Sequence, residues 1–179
     1  MPRQPRHPQA VMDALTALDR TPTGRAWAEY FRISGVKVVF SDALGGPGGT
    51  AWFGWRVFFP TSMRAYLEPD RLVHELVHTT QGPYMWGSLE NERGAYIVQH
   101  RYLAEAAVEP GSRDFHMAIV TMLQHGGPEA YGWIQNLGPY YQHFAVSHPK
   151  PWQVRAWLPQ ARYALLVAVS GGNRDVQRA

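Results

Sequence analysis

The chain has 179 residues, of which 45% are hydrophobic and 13% aromatic, and it carries a formal net charge of +3. This composition supports a buried core and excludes a disordered chain, while the length predicts a single domain. The arginines are scattered along the sequence, so no nucleic-acid partner is indicated. Because there is no cysteine, disulfides, thiolate zinc sites and cysteine nucleophiles are excluded, and a transition metal would need histidine and carboxylate ligands.

The two ends of the chain are polar, and we expect flexible tails at 1–8 and 171–179 around one domain at 9–170. The basic N-terminus is not followed by an apolar stretch, so no secretory signal is predicted. The longest apolar run, 164–169, is too short to cross a bilayer. We therefore expect a cytoplasmic protein without a membrane partner.

Apolar spacing and breaker residues predict helices at 9–19 and 23–32, then strands at 35–40 and 51–59. The glycine-rich segment 45–50 separates the two strands. No Gly-Lys-Ser/Thr follows it, so a flexible turn is favoured over a phosphate-binding loop. Further helices are predicted at 69–81, 88–107, 112–124, 128–136 and 151–168. The two strands precede the five helices predicted from residue 69 onward. This order indicates an α+β fold, with a small mixed or antiparallel N-terminal sheet and a mainly helical C-terminal part.

Residues 74–78 (His-Glu-Leu-Val-His) form an HExxH motif inside the predicted helix 69–81. His74 and His78 are four residues apart, so they project side by side and can chelate one ion. Glu75 can take the proton of a water on that ion. Pro69 is a favourable first helical residue, and the apolar residues of the segment fill an arc that leaves both histidines outside it. The pattern favours a zinc site over histidines that merely face solvent.

The next predicted helix offers Glu90, Glu92 and His100 as a third ligand. Glu92 falls on the apolar face, where a carboxylate is costly unless it is paired. Glu90 lies about 160° away around the helix and is expected to face solvent. His100 lies about 12 Å further along the helix than Glu92, too far to share its ion, and is expected to be a core or supporting histidine. The predicted ligands are therefore His74, His78 and Glu92, with a salt bridge to an arginine as the alternative for Glu92.

With HExxH followed by Glu92-Arg93-Gly94-Ala95, the chain resembles the gluzincin metallopeptidases, whose pattern is HExxH with a glutamate ligand on the following helix, often as ExxA. In size it is similar to the minigluzincins, and Gln81 is similar to the last residue of the HExxHxxQ motif in short bacterial domains. The resemblance covers residues 69–107. It implies a zincin-like fold and a Zn²⁺ cofactor held by His74, His78 and Glu92. It also implies Glu75 as general base and a peptide or protein substrate.

The resemblance further implies that an exposed edge strand before the zinc helix binds the substrate backbone. The run 51–59 is the best candidate, and an ordinary paired strand is the alternative. Gluzincins also use a histidine or tyrosine to stabilise the developing oxyanion. The candidates for this role lie in one stretch flanked by glycine and proline, and the sequence does not choose among them. They are Tyr140, Tyr141, His143 and His148.

Three functional hypotheses follow from these patterns. The first is a peptidase that cuts peptides or a specific protein by metal-activated water. The second is a latent form of that enzyme, with a terminal segment of its own chain in the cleft. The third is a regulatory or binding protein with negligible turnover. The presence of Glu75 disfavours this hypothesis, because a purely structural zinc site needs no base. The sequence indicates neither the substrate, nor endo- or exo-cleavage, nor the oligomeric state.

Overall fold

The computed structural model describes residues 8–42, 50–52, 56–81 and 88–146, and this part of the chain is predominantly helical. Its α-helices are α1 Gln9–Leu18, α2 Pro22–Ser34, α3 Pro69–Thr80, α4 Leu89–Ala106, α5 Pro110–His125 and α6 Gly127–Asn136. Its strands are β1 Lys37–Phe40, β2 Thr50–Trp52 and β3 Arg56–Phe59. Two short 3-10 helices span Thr61–Arg64 and Pro139–His143.

Each of these six α-helices confirms a predicted helix, and the observed ends differ from the predicted ones by at most two residues. Of the glycine-rich turn predicted at 45–50, residues 45–49 lie outside the described residues, and Thr50 begins β2. The predicted helix at 151–168 and the terminal segments 1–7 and 171–179 also lie outside them. The predicted tails and the domain bounds 9–170 therefore stay predictions.

The prediction of one continuous strand at 51–59 is wrong. This run forms two strands, because β2 and β3 pair antiparallel with Trp52 opposite Arg56. β1 pairs in parallel with β3, and the strand order β1-β3-β2 puts β2 at an edge of the sheet. Gly54, in the middle of the run, is the one residue that could have indicated a reversal, since glycine favours tight turns.

The prediction of an α+β, zincin-like fold class is also wrong. Three strands of three or four residues are too few and too short to form a layer that carries the core. Helix packing builds the core instead, in two clusters of buried apolar side chains. The first cluster joins α1, α2 and α3 to the sheet and includes Tyr102 of α4. The second cluster joins α5 and α6 to Leu89 at the start of α4.

The ends of α3 and α4, the helices that carry the candidate ligands, are set by local chemistry. Pro69 begins α3, where its missing N–H group costs nothing. The Ser88 side chain accepts a hydrogen bond from the N–H of Asn91 and caps α4. At the other end of α4, the Glu105 carboxylate accepts the N–H of Thr23 at 2.8 Å. The starts of α3 and α4 are thus set locally, whereas the C-terminal end of α4 is joined to α2.

Candidate metal centre

His74 and His78 of α3 meet Glu92 of α4 at a buried cluster that can hold a metal ion. The two histidine Nε2 atoms are 3.1 Å apart. Glu92 places Oε2 at 3.3 Å from the Nε2 of His74 and Oε1 at 3.6 Å from that of His78. Ligands at about 2.0–2.2 Å from a tetrahedral ion are about 3.3–3.6 Å from one another. These nearest-atom separations resemble those around one tetrahedral ion, with each histidine facing a different oxygen of Glu92. One ligand atom from each residue lies within 4.8 Å of the other two.

Glu92 and Glu90 have different partners, although they lie on the same turn of α4. Glu92 is buried, as predicted, and its partners are histidines rather than an arginine. The nearest arginine in sequence, Arg93, instead forms a two-point ion pair with Glu90. Glu90 also accepts a hydrogen bond from the Tyr131 hydroxyl at 2.8 Å. Glu90 is the more exposed of the two, as predicted, but these contacts leave its side chain only partly exposed, at 36% against 11% for Glu92.

Two small residues of α4 lie where it approaches α3. Ala95 is fully buried, and its small side chain lets the two helices approach closely. A Cβ atom added at Gly94 would lie 3.0 Å from Nε2 of Gln81, the residue that follows α3. This separation is tighter than an ordinary carbon–nitrogen contact. Gly94 therefore leaves space for the Gln81 side chain beside the candidate metal centre.

The charges of the cluster depend on one another. Burial by itself lowers the pKa of His78, but the charge of Glu92 and its hydrogen bond outweigh this and raise the pKa to about 9. Burial likewise raises the pKa of Glu92, but the charge of His78 and the hydrogen bonds of both histidines lower it to about 2. Without an ion, the cluster is therefore a carboxylate paired with a protonated imidazole at neutral pH.

His74 has a second set of partners on the side away from Glu92. Its Nδ1 lies 2.9 Å from Oε1 of Gln99, and Nε2 of Gln99 donates to the Asp70 carboxylate at 2.8 Å. Sequence reasoning missed Gln99 and Asp70 as parts of the site. Gln99 lies seven residues after Glu92, so that both fall on one face of α4, and this spacing is the signal that could have found it.

His78 has a comparable partner in Gln81, which the HExxHxxQ resemblance singled out. The Nδ1 of His78 lies 2.7 Å from Oε1 of Gln81. Nε2 of Gln81 donates to the backbone carbonyl of Asn91 at 3.0 Å. Gln81 therefore joins the end of α3 to the first turn of α4.

Glu75, the predicted general base, is buried on α3 between the two histidines in sequence, with 6% of its surface exposed. Its negative charge acts on His78 and on Tyr141. A buried carboxylate at this position can exchange a proton with a group bound at the cluster.

Of the residues predicted to stabilise an oxyanion, Tyr141 is linked to a ligand histidine through Tyr96. Its hydroxyl is 2.8 Å from that of Tyr96, whose ring packs edge-on against His74 with 4.5 Å between centroids. Burial raises the pKa of Tyr141, and the negative charge of Glu92 adds to this, so the phenol keeps its proton. Sequence reasoning missed this contact of Tyr96 with His74.

The other candidates from that stretch are placed differently. Tyr140 is 40% exposed, and its ring contacts Tyr141 and Phe144. His143 ends the second 3-10 helix, and its side chain lies outside the described part of the chain. His148 lies outside the described residues. Tyr141 is thus the candidate that the described contacts link to the metal centre.

His100 is a core histidine, as the sequence indicated. It is 9% exposed, and its Nδ1 lies 2.9 Å from Nδ1 of His116 on α5. Burial lowers the pKa of His100 to about 4, and the neighbouring His116 adds to this. Among the described residues, His100 does not join the group that can hold a metal.

Comparison of the chain with protein-family models, curated proteins and solved structures gave no match. Within the described ranges, the helices lack the length and apolar character that a membrane span requires. Functional interpretation therefore depends on the motif and on the geometry of the cluster.

Proposed function

We propose that this protein is a zinc-dependent peptidase that uses the ligand set of the gluzincins. The observation that carries the proposal is the meeting of three ligand residues, two from the HExxH motif and one from Glu92, whose ligand atoms all lie within 4.8 Å of one another. The proposal concerns the ligands and their chemistry, and does not depend on a zincin fold.

The donor set suits zinc better than calcium or magnesium. Two imidazole nitrogens and one carboxylate form a typical catalytic zinc site, in which a fourth position stays open for water or substrate. Calcium and magnesium prefer sites made of oxygen atoms. The chain has no cysteine that could close a structural site with a fourth, thiolate ligand.

Glu75 is the proposed general base for hydrolysis. A zinc ion at the cluster would lower the pKa of its water to about 7 and polarise the substrate carbonyl. Glu75 accepts a proton from the attacking water while the water oxygen bonds to the carbonyl carbon. It then delivers this proton to the leaving amine nitrogen as the carbon–nitrogen bond breaks.

Tyr141 is the proposed donor to the oxyanion. Its phenol keeps its proton at neutral pH, since burial and then the charge of Glu92 raise its pKa. The proposed role requires the Tyr96 hydroxyl to donate to that of Tyr141, which orients Tyr141 and leaves its proton for the oxyanion; Tyr96 in turn packs on a ligand histidine. A fixed hydrogen-bond donor beside the reacting carbonyl lowers the barrier by stabilising charge that develops only in the transition state.

The proposed substrate is a peptide in an extended conformation. β2 is an edge strand, and its backbone packs against α3, the helix of the HExxH motif. An edge strand can form backbone hydrogen bonds with a peptide that lies alongside it. This arrangement supports a substrate path next to α3.

Burial of the ligands favours one alternative, a metal-holding protein without turnover. The side chains of His74, His78 and Glu92 are each only 9–11% exposed. A closed site of this kind suits a structural or regulatory ion, whereas a catalytic ion needs access for substrate. This alternative predicts full zinc binding without cleavage of any peptide.

Glu75→Gln separates the two possibilities, because it keeps the shape of the side chain and removes the base. For a peptidase we expect zinc content and folding to be kept while cleavage of a peptide library falls about 10²–10⁴-fold. Glu129→Gln, an exposed position on α6, is the matched control and should cleave like the parent. A parent protein that holds zinc but cleaves nothing would support the alternative.

A further inference from the structure

We infer that Gln99, Asp70 and Gln81 are positioning residues that hold both ligand histidines in one tautomer, with the proton on Nδ1 and the lone pair of Nε2 directed at the ion. The inference rests on the proposed metal site and extends it to residues that do not touch the ion. It follows from the direction that each hydrogen bond must have.

Asp70 sets the direction of the two hydrogen bonds that lead from it through Gln99 to His74. A carboxylate can only accept, so the group of Gln99 that lies 2.8 Å from Asp70 is its amide nitrogen. The other end of the same amide, Oε1, must then face His74 at 2.9 Å. Because this oxygen can only accept, Nδ1 of His74 carries the proton.

Gln81 orients His78 in the same way, but this second series of hydrogen bonds ends on a neutral group, a backbone carbonyl. The backbone carbonyl of Asn91 accepts from Nε2 of Gln81, which turns Oε1 of Gln81 toward His78 at 2.7 Å. The side-chain Nδ2 of Asn91 also approaches Nδ1 of His78, at 3.3 Å. A protonated Nδ1 cannot accept from it. The shorter contact with Gln81 therefore determines the tautomer.

The two histidines are thus oriented alike but supported differently. The support of His74 ends on the charge of Asp70, whereas that of His78 ends on a peptide carbonyl. Hydrogen bonds to the second nitrogen of a ligand histidine fix its ring and strengthen it as a donor to metal. We therefore expect the Gln99–Asp70 pair to contribute measurably to zinc affinity.

The test uses full-length protein loaded with zinc, with affinity measured by competition against a chelator. Gln99→Leu removes both hydrogen bonds and should weaken zinc binding about 10–100-fold. The double variant Asp70→Asn with Gln99→Glu exchanges the amide and the carboxylate at nearly constant shape. The amide introduced on α3 can then donate to the carboxylate introduced on α4, and this carboxylate can accept from His74. Affinity should therefore return to within about threefold of the parent.

A second readout separates positioning from a general loss of structure. Long-range nitrogen–proton NMR spectra of the zinc-loaded parent and double variant should both show the proton of His74 on Nδ1. Gln99→Leu with parental zinc affinity, or a double variant as weak as Gln99→Leu, would overturn the inference. A proton on Nε2 of either histidine would do the same. No substrate is involved, so these results are independent of whether the protein cleaves peptides.

Discussion

The Nε2 atoms of His74 and His78 lie 3.1 Å apart, and both face the carboxylate of Glu92. Two lone pairs at this separation repel each other unless a proton or a metal ion lies between the two nitrogens and the carboxylate. The geometry therefore favours a bound cation at this point of the α3–α4 interface.

We expect one zinc ion per chain, lost on His74→Ala or Glu92→Ala, because each change removes one of three ligands. Elemental analysis after dialysis measures the stoichiometry. His125→Ala and Glu90→Ala are controls of the same residue types outside the cluster, and both should keep a full equivalent. Retention of zinc by both ligand variants would show that the ion binds elsewhere.

Zinc binding should strengthen as the pH rises. In the metal-free chain, burial lowers the pKa of His78, but the charge of Glu92 outweighs this and raises the pKa to about 9. Below this pH the ion must therefore displace a proton from His78. The apparent affinity should therefore rise about tenfold per pH unit between about pH 6 and 8. Calorimetry in buffers of different ionisation enthalpy should detect the release of one proton. An affinity independent of pH in this range would contradict the coupling between His78 and Glu92.

Tyr141→Phe should lower kcat about 10²-fold or more with little change in zinc content, since it removes a donor to the oxyanion. It also removes the partner of the Tyr96 hydroxyl, at a cost of about 1 kcal/mol in the free energy of unfolding. Tyr140→Phe is the matched control and should behave like the parent, because Tyr140 is exposed. Equal rates for the two variants would remove Tyr141 from the mechanism.

Gly94→Ala should weaken zinc binding without loss of stability. The added Cβ meets Nε2 of Gln81 at 3.0 Å and displaces the partner of His78. Alanine in place of a helical glycine otherwise raises the free energy of unfolding by about 0.5–1 kcal/mol. Gly132→Ala on α6, where the added Cβ has open space, is the control. It should raise the free energy of unfolding in the same way and leave zinc affinity unchanged. Unchanged zinc affinity in Gly94→Ala would mean that the Gln81 contact is dispensable.

The sequence predicted the helices well because their apolar spacing is a local property. Glu92 could be predicted for the same reason, since its place on the apolar face of α4 follows from helical geometry alone. The class of the fold could not, because β-branched and aromatic residues indicate extended chain without showing where it reverses or how much sheet it forms. The antiparallel pairing of Trp52 with Arg56 depends on such a reversal.

The supporting residues of the site were hidden for a different reason. Gln99 and Asp70 are ordinary surface residue types, and their role arises only when α3 and α4 pack together. Tyr96 reads as a core residue and is one, but its ring also contacts a ligand histidine. The partial cover of Glu90 could not be predicted, because it arises from contacts with α5 and α6. Arg93, the ion-pair partner of Glu90, donates to Leu123 of α5, and Tyr131 of α6 donates to Glu90.

Helix α4 contributes Leu89 to one hydrophobic cluster and Tyr102 to the other, so neither cluster can melt without disturbing the helix that serves both. The histidine ligands come from α3 in the first cluster, while Glu92 lies one turn from Leu89 in the second. An ion bound at the cluster would therefore cross-link the two halves. A ligand that binds only the folded state raises the free energy of unfolding in proportion to the logarithm of its concentration. The lifetime of this protein against cellular proteases would therefore rise and fall with the local supply of metal.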